Sequence, residues 1–200
     1  DLADEYRTPV MVLADGMLGQ MMEPVFLPEP KESLPEKPWA TTGHKGKRAH
    51  NIVNSLYLTA DALEKLNIER FERYEVIREK EQRSEAFMLD DAEVVVVAFG
   101  ASSRVARSAV VAAREEGIKA GLLRPITLWP FPTKAIEDAL SHAKVFLSVE
   151  MNMGQMVDDV RLAVNGRAAV DFYGRTGGVI PTPEEVLSAI KDSAKRGGVL

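Results

Sequence analysis

Downstream of residue 91 the chain alternates between two hydrophobic periods. Short apolar runs such as Val94-Val95-Val96-Val97 give way to segments with helical spacing, and the runs then return. A short continuous apolar run bounded by turn residues reads as a strand buried on both faces. The pattern predicts strands over residues 94–99, 119–123, 145–149 and 169–173. It predicts helices over residues 104–116, 133–141 and 155–164, with Gly117 closing the first and Thr133 capping the second. Thr182-Pro183-Glu184-Glu185 opens a last helix: a capping threonine, proline at the first helical position, and acids in the first turn. Strands alternating with helical crossovers specify an α/β fold, a mainly parallel sheet with helices on both faces.

Upstream the pattern differs. Residues 9–14, Pro-Val-Met-Val-Leu-Ala, read as a short buried strand. Such a strand needs neighbours, so the chain is expected to be the C-terminal part of a longer protein. Pro24, Pro28, Pro30, Pro35 and Pro38 make residues 24–38 an extended linker, because proline fixes φ and removes a donor. Residues 39–54 form a polar, basic loop. Residues 59–88 are charged and helix-prone, with Thr59 or Asp61 as the cap and Glu69/Arg73 and Glu79/Arg83 four apart. Leu63, Leu66, Tyr74 and Ile77 keep only a loose helical spacing, as expected of an arm lying on a surface. Three parts follow: residues 1–23, residues 24–90 (linker, loop and charged helical arm) and residues 91–200.

Apolar residues make up 46% of the 200, enough for a proper core. The net charge of −5 with no basic stripe argues against a nucleic-acid binder. With no cysteine, the chain has no disulfide, thiolate nucleophile, cysteine-ligated zinc or iron–sulfur cluster of its own. No apolar run is long enough to span a membrane, and no leader-like segment opens the chain; a cytoplasmic setting is expected.

The turn Gly100-Ala-Ser-Ser-Arg104 follows a strand and precedes a helix, as in nucleotide-binding units. It lacks the second and third glycines of a dinucleotide fingerprint and the Lys of a P-loop. We read it as a connection that builds the sheet. The loop of residues 41–50 offers Thr42, Gly43, His44, Lys45, Lys47 and Arg48, a set suited to a phosphate or carboxylate, though also to a solvated surface loop. His44 and His50 lack an acid between them, so no metal site is expected. Glu150 ends a strand, where ligands gather in parallel sheets, and Met151, Met153 and Met156 follow it. An interface role is favoured for Glu150 and Met153 over that of a helix N-terminal partner. Arg124, Trp129 and Phe131 lie between prolines and suit an interface or plain core packing. His142 is expected to meet a helix C-terminus, and residues 172–178 to be a simple connection. No set of residues suited to hydrolysis stands out, and no catalytic residue is assigned.

Several stretches converge on one family. "GQMVDDVRLAVNG", "LLRPITLWPFP", "DFYGRTGGVIPTPEEVL" and "NIVNSLYL" resemble the α subunit of 2-oxoacid:ferredoxin oxidoreductases, with the 2-oxoisovalerate (branched-chain) type most similar. Residues 91–200 resemble the C-terminal domain of transketolase-type enzymes. The resemblance implies oxidative decarboxylation of a 2-oxo acid on thiamine diphosphate, transfer of the acyl group to coenzyme A, and electrons passing through iron–sulfur clusters to ferredoxin. It implies that residues 1–23 end a truncated thiamine-pyrimidine-binding domain. It also implies that thiamine diphosphate, magnesium and the clusters belong to the full complex, none being held by this chain alone. The implied partners are β and γ or δ subunits, ferredoxin, coenzyme A and a second copy of the chain, with no nucleic acid and no membrane. The loop at 42–48 would then contact coenzyme A or substrate at the active-site rim, and residues 91–200 would serve assembly. The alternatives are a stand-alone structural or nucleotide-binding module, or a subunit of another thiamine-dependent complex, for pyruvate or 2-oxoglutarate.

Overall fold

The computed structural model describes every residue of the chain except 34 and 35, so the linker proline Pro35 lies outside the described residues. The chain divides into two compact units. One comprises Asp1–Val12 and Met22–Val76, the other Leu13–Met21 and Ile77–Leu200.

The second unit is built on a five-stranded sheet in the order β1-β3-β2-β4-β5, with β1 Ser84–Phe87, β2 Val94–Val97, β3 Ala120–Pro125, β4 Val145–Glu150 and β5 Ala169–Gly174. All pairings are parallel except β1 with β3. The four valines of β2 explain the layering. Side chains alternate across a strand, so Val94 and Val96 enter one core and Val95 and Val97 the other. The first core is closed by α3 (Gly100–Glu115) and α6 (Pro183–Arg196), through Ala106, Ala109, Val110, Val186 and Ile190. The second is closed by α4 (Thr133–Ala139) and α5 (Met156–Val164), through Ile136, Ala139, Met156 and Val160, around Phe146. The doubly covered parallel sheet expected from the pattern is therefore the observed fold.

Boundaries differ where local chemistry intervenes. The helix expected over 104–116 starts at Gly100, so the supposed turn is its first turn. Gly117, at φ 85, follows the end of that helix as expected. Thr133 is the first helical residue, not the cap; Pro132 holds the cap position. Thr182 caps α6 in a reciprocal box, its hydroxyl accepting from the Glu185 N–H while the Glu185 carboxylate accepts from the Thr182 N–H at 3.0 Å.

The helix expected over 59–88 is α2 (Ala60–Lys80) and ends eight residues early. The Gln82 amide donates to the Arg78 carbonyl at 2.9 Å and accepts from the Lys134 N–H at 3.1 Å, tying the end of α2 to the start of α4. The next residues become β1, so the sheet begins at Ser84 rather than Asp91. Across β1 and β3, Glu85 stands opposite Arg124. At Gly121 in β3 an added Cβ would collide with the Met88 carbonyl and sit 2.8 Å from the Ala92 Cβ; the chain entering β2 crosses close over this strand, and only glycine leaves room.

The first unit contains the short helix α1 (Leu2–Tyr6), most of α2 and irregular chain. Its ties are polar: Lys37 to Asp4 at 2.5 Å, the Arg7 guanidinium 4.6 Å over the Trp39 ring, and Arg73 donating to the Arg7 carbonyl. Residues 9–14 form no strand. A ladder needs a neighbouring strand to take its N–H and C=O groups, and among the described residues none lies beside them. No helix among the described residues is long and apolar enough to cross a membrane.

Candidate functional site

The strand order reverses between β2 and β4, whose carboxyl ends face the N-termini of α3 and α5. In open parallel sheets this crevice is where ligands bind, because helix N-termini present N–H groups and a positive dipole end to an anion. In this chain both N-termini hold carboxylates of the chain itself.

At α5 the carboxylate is Glu150, 2% exposed. Its Oε2 accepts from the N–H groups of Gln155 at 3.1 Å and Met156 at 2.9 Å, and from the Asn152 amide at 3.1 Å. Its Oε1 accepts from the Val157 N–H at 2.9 Å and the Ser148 hydroxyl at 3.0 Å. Asn152 in turn accepts from the Gly154 N–H at 2.6 Å, and Gly154 has φ 106, a left-handed conformation that lets the chain double back. Five donors satisfy one buried charge, which is what burial of a carboxylate requires. The interface role favoured for Glu150 is therefore corrected: the side chain points inward and is the partner of the α5 N-terminus. Burial, with help from Asp158 and Glu150, raises the Asp159 carboxyl above its ordinary range.

At α3 the carboxylate is Asp15. Its Oδ2 accepts from the Ala101 N–H at 3.2 Å and its Oδ1 from the Leu18 N–H at 2.8 Å. Gly100 has φ 58, and a Cβ there would sit 3.2 Å from the Asp15 carboxylate. The glycine that suggests a phosphate turn thus serves the close approach of the chain's own acid. Sequence reasoning missed this contact, which spans 86 positions. The signal available was an Asp-Gly pair after an apolar run, "VLADGMLG".

The loop of residues 41–50 is organised around its own groups. Nδ1 of His44 accepts from the Gly46 N–H at 3.0 Å, so in the neutral ring Nε2 carries the proton and donates to Nε2 of His50, 3.1 Å away. Arg48 donates to the carbonyls of Ala40, Gly43 and Ala49, at 3.2, 3.3 and 3.0 Å. The Arg48 guanidinium thereby ties the loop to its own backbone and to Ala40. Lys45 and Lys47 are exposed, as are Thr42 and Gly43. Gly43, Lys45 and Gly46 have positive φ, so the loop is a run of tight turns.

The expected interface residues differ in exposure. Trp129 and Met153 are exposed, at 54% and 83%. Phe131 packs against the second core. Met156 is a core residue, not surface. Arg124 sits on β3, its Nε and Nη2 at 3.0 and 2.6 Å from one oxygen of Glu85. His142 lies beyond α4, and its Nδ1 donates to the Ala92 carbonyl at 2.8 Å rather than meeting a helix end. Residues 174–179 form the connection expected there, with the Arg175 N–H donating to the Glu150 carbonyl. Among the described residues no three His, Cys, Asp or Glu side chains gather as a metal site.

Residues 92–186 match the family described as pyruvate:ferredoxin oxidoreductase core domain II. Over 195 residues, 97% of the chain, the sequence is 47% identical to the ketoisovalerate oxidoreductase subunit VorB of Methanothermobacter thermautotrophicus and spans 55% of that protein. It is 31% identical to the 2-oxoglutarate synthase subunit KorA of the same organism, over 95% of the chain and 57% of the relative. The chain thus spans about half the length of the relatives it matches. A solved structure, the 2-oxoglutarate:ferredoxin oxidoreductase from Magnetococcus marinus with 2-oxoglutarate, coenzyme A and succinyl-CoA bound, superposes with a TM-score of 0.56 over 68% of this chain and 24% of that one. At 20% identity that likeness speaks for the fold alone. The chain belongs to the 2-oxoacid:ferredoxin oxidoreductase family.

Proposed function

We propose that the chain is part of the α subunit of a thiamine diphosphate-dependent 2-oxoacid:ferredoxin oxidoreductase whose substrate is a branched-chain 2-oxo acid, 2-oxoisovalerate. The observation that carries this reading is the gap between 47% identity to the ketoisovalerate subunit and 31% to the 2-oxoglutarate subunit, each along nearly the whole chain. The reaction takes a 2-oxo acid and coenzyme A to acyl-CoA and carbon dioxide, and the two electrons released pass to ferredoxin.

The residues present here do not fit the cofactors of that reaction. There is no cysteine for an iron–sulfur cluster, the described acids gather no metal site, and both helix N-termini at the crevice are filled from within. In this reading the cofactors are held by the rest of the complex. The chain's part is assembly and the active-site rim, in a cytoplasmic complex with β and γ or δ subunits and a second copy of itself. Trp129 and Met153 offer exposed apolar surface for docking, and Lys45 and Lys47 offer exposed cations to a coenzyme A phosphate. Residues 1–23 belong, in this reading, to the end of the thiamine-pyrimidine-binding domain.

The test is kcat/KM of the whole complex for 2-oxoisovalerate, 2-oxoglutarate and pyruvate, read as coenzyme A-dependent ferredoxin reduction. A clear preference for 2-oxoisovalerate is expected; preference for another acid overturns the substrate. Substituting Lys45 and Lys47 together by Ala is expected to raise the KM for coenzyme A severalfold with kcat unchanged. An unchanged KM removes the loop from the site.

A further inference from the structure

One side of α2 carries a groove of about 690 Å³, lined by residues of that helix alone and lying wholly within the first unit. Its lining falls into two rows spaced by four, Ala60-Glu64-Ile68-Glu72 and Leu63-Asn67-Phe71-Glu75. Side chains four apart on a helix form a ridge, and the furrow between two such ridges is the seat that a ridge of a second helix takes when helices pack. Among the described residues no other element lines this furrow. Ile68 and Phe71 are 56% and 58% exposed in it, and Leu63 is exposed beside them. The Phe71 ring lies 5.7 Å from that of Tyr74, centre to centre, a contact that orders it. The lining is acidic as well as apolar: it includes Glu64, Glu72 and Glu75 and no Lys or Arg. Among the described residues neither Glu64 nor Glu72 has an ion-pair partner. Lying eight apart on one row, they stand about 12 Å from each other along the helix axis, with Ile68 between them.

We propose that this groove is the docking site of a basic amphipathic helix from a partner polypeptide, which lays an apolar ridge against Ile68 and Phe71 and sets Lys or Arg side chains against Glu64 and Glu72. The paired ridges select a helix as the occupant, and the exposed apolar side chains between them supply the gain on covering. The acids select its charge. They also weigh against a second copy of this chain. A symmetric antiparallel pairing centred on Ile68 sets Glu64 of one copy against Glu72 of the other, like charge on like at both ends. The inference goes beyond the oxoacid reading, which gives α2 no part.

The experiment is a titration of the full chain against a labelled synthetic helix of Leu and Lys, about 18 residues long and so able to span the groove, read by fluorescence anisotropy. A Leu and Glu peptide of the same length and spacing is the control, and thermal melting checks that each variant folds. Wild type is expected to bind the Lys peptide and not the Glu peptide. Phe71→Ala is expected to weaken binding about tenfold, as loss of an aromatic anchor does. Glu64→Gln with Glu72→Gln is expected to weaken it severalfold, and less so at high salt. Glu29→Gln with Glu32→Gln removes the same charge from exposed acids of the linker and is expected to leave binding unchanged. No binding by wild type, equal binding of the two peptides, or an unchanged Phe71→Ala variant each overturns the proposal. Equal losses in the two double variants also overturn it, since they reduce the binding to general attraction by an acidic chain. Sedimentation equilibrium tests the other occupant: self-association that Phe71→Ala abolishes gives the groove to a second copy and overturns the partner helix. The oxoacid preference of the complex is read separately and is untouched by any of these failures.

Discussion

Two apolar runs of similar make-up meet opposite fates. Val95 in β2 is fully buried, whereas Val12, in the run at residues 9–14, is 92% exposed. Along the described chain the first buried residue is Ile77; none of the described residues from 1 to 76 is buried. The sheet unit completes its own core on both faces, while the other unit exposes Met22, Phe26, Leu27, Ile52 and Leu58. Apolar residues at the right spacing make a strand only when the chain also supplies neighbours for its backbone and side chains.

The widest separation is expected in hydrogen exchange. Amides of β2 and β4 should be protected by several orders of magnitude relative to those at residues 10–13, since only the former open with global unfolding. Equal protection would break the contrast. Next, Phe146→Ala should cost about 3–5 kcal/mol in urea denaturation, as Phe146 is fully enclosed in the second core. Phe26→Ala, at a side chain 94% exposed, should stay within about 0.5 kcal/mol. Glu150→Ala should cost about 3 kcal/mol, because it strands three N–H groups at the start of α5. Glu150→Gln should cost less, since one acceptor oxygen remains.

The smallest effect concerns acid. The Thr182 N–H, with the Arg175 charge, holds the Glu185 carboxyl below its ordinary range. A depressed folded pKa contributes stability that is present above the unfolded pKa and lost as pH falls through the folded one. The difference in Tm between wild type and Glu185→Gln should therefore shrink as pH drops below the carboxylate range. A constant difference would show that the cap works without its charge.

The sheet unit was legible because each of its parallel strands is a short apolar run flanked by a crossover helix, and Thr182-Pro183-Glu184-Glu185 is local cap chemistry. β1 was not legible: four residues, Ser-Glu-Ala-Phe, follow a helix rich in charge and carry no apolar run of their own. Their strand state comes from pairing with β3, forty residues away. The crevice was legible as a place and misread in content. Glu150 was found at its strand end, but its inward turn depends on Asn152 and Gly154 bending the chain back. Asp15 lies too far from Gly100 in sequence for any local pattern to join them. In the loop at 41–50 composition suggested outward cations, and carbonyls within the loop and beside it claimed Arg48.

The short antiparallel strand β1 also bears on how this protein meets other molecules. An open sheet margin is a template on which a foreign strand can add, the route to aggregates and swapped dimers. Here one margin is only four residues long, bears Glu85 in its middle, and is followed by Met88, whose left-handed φ of 50 turns the chain away. A short, charged margin that bends off is a poor guide for another strand. Association on this side of the sheet must therefore proceed through side chains, where partners can be chosen by shape and charge, rather than through backbone hydrogen bonding that accepts almost any sequence.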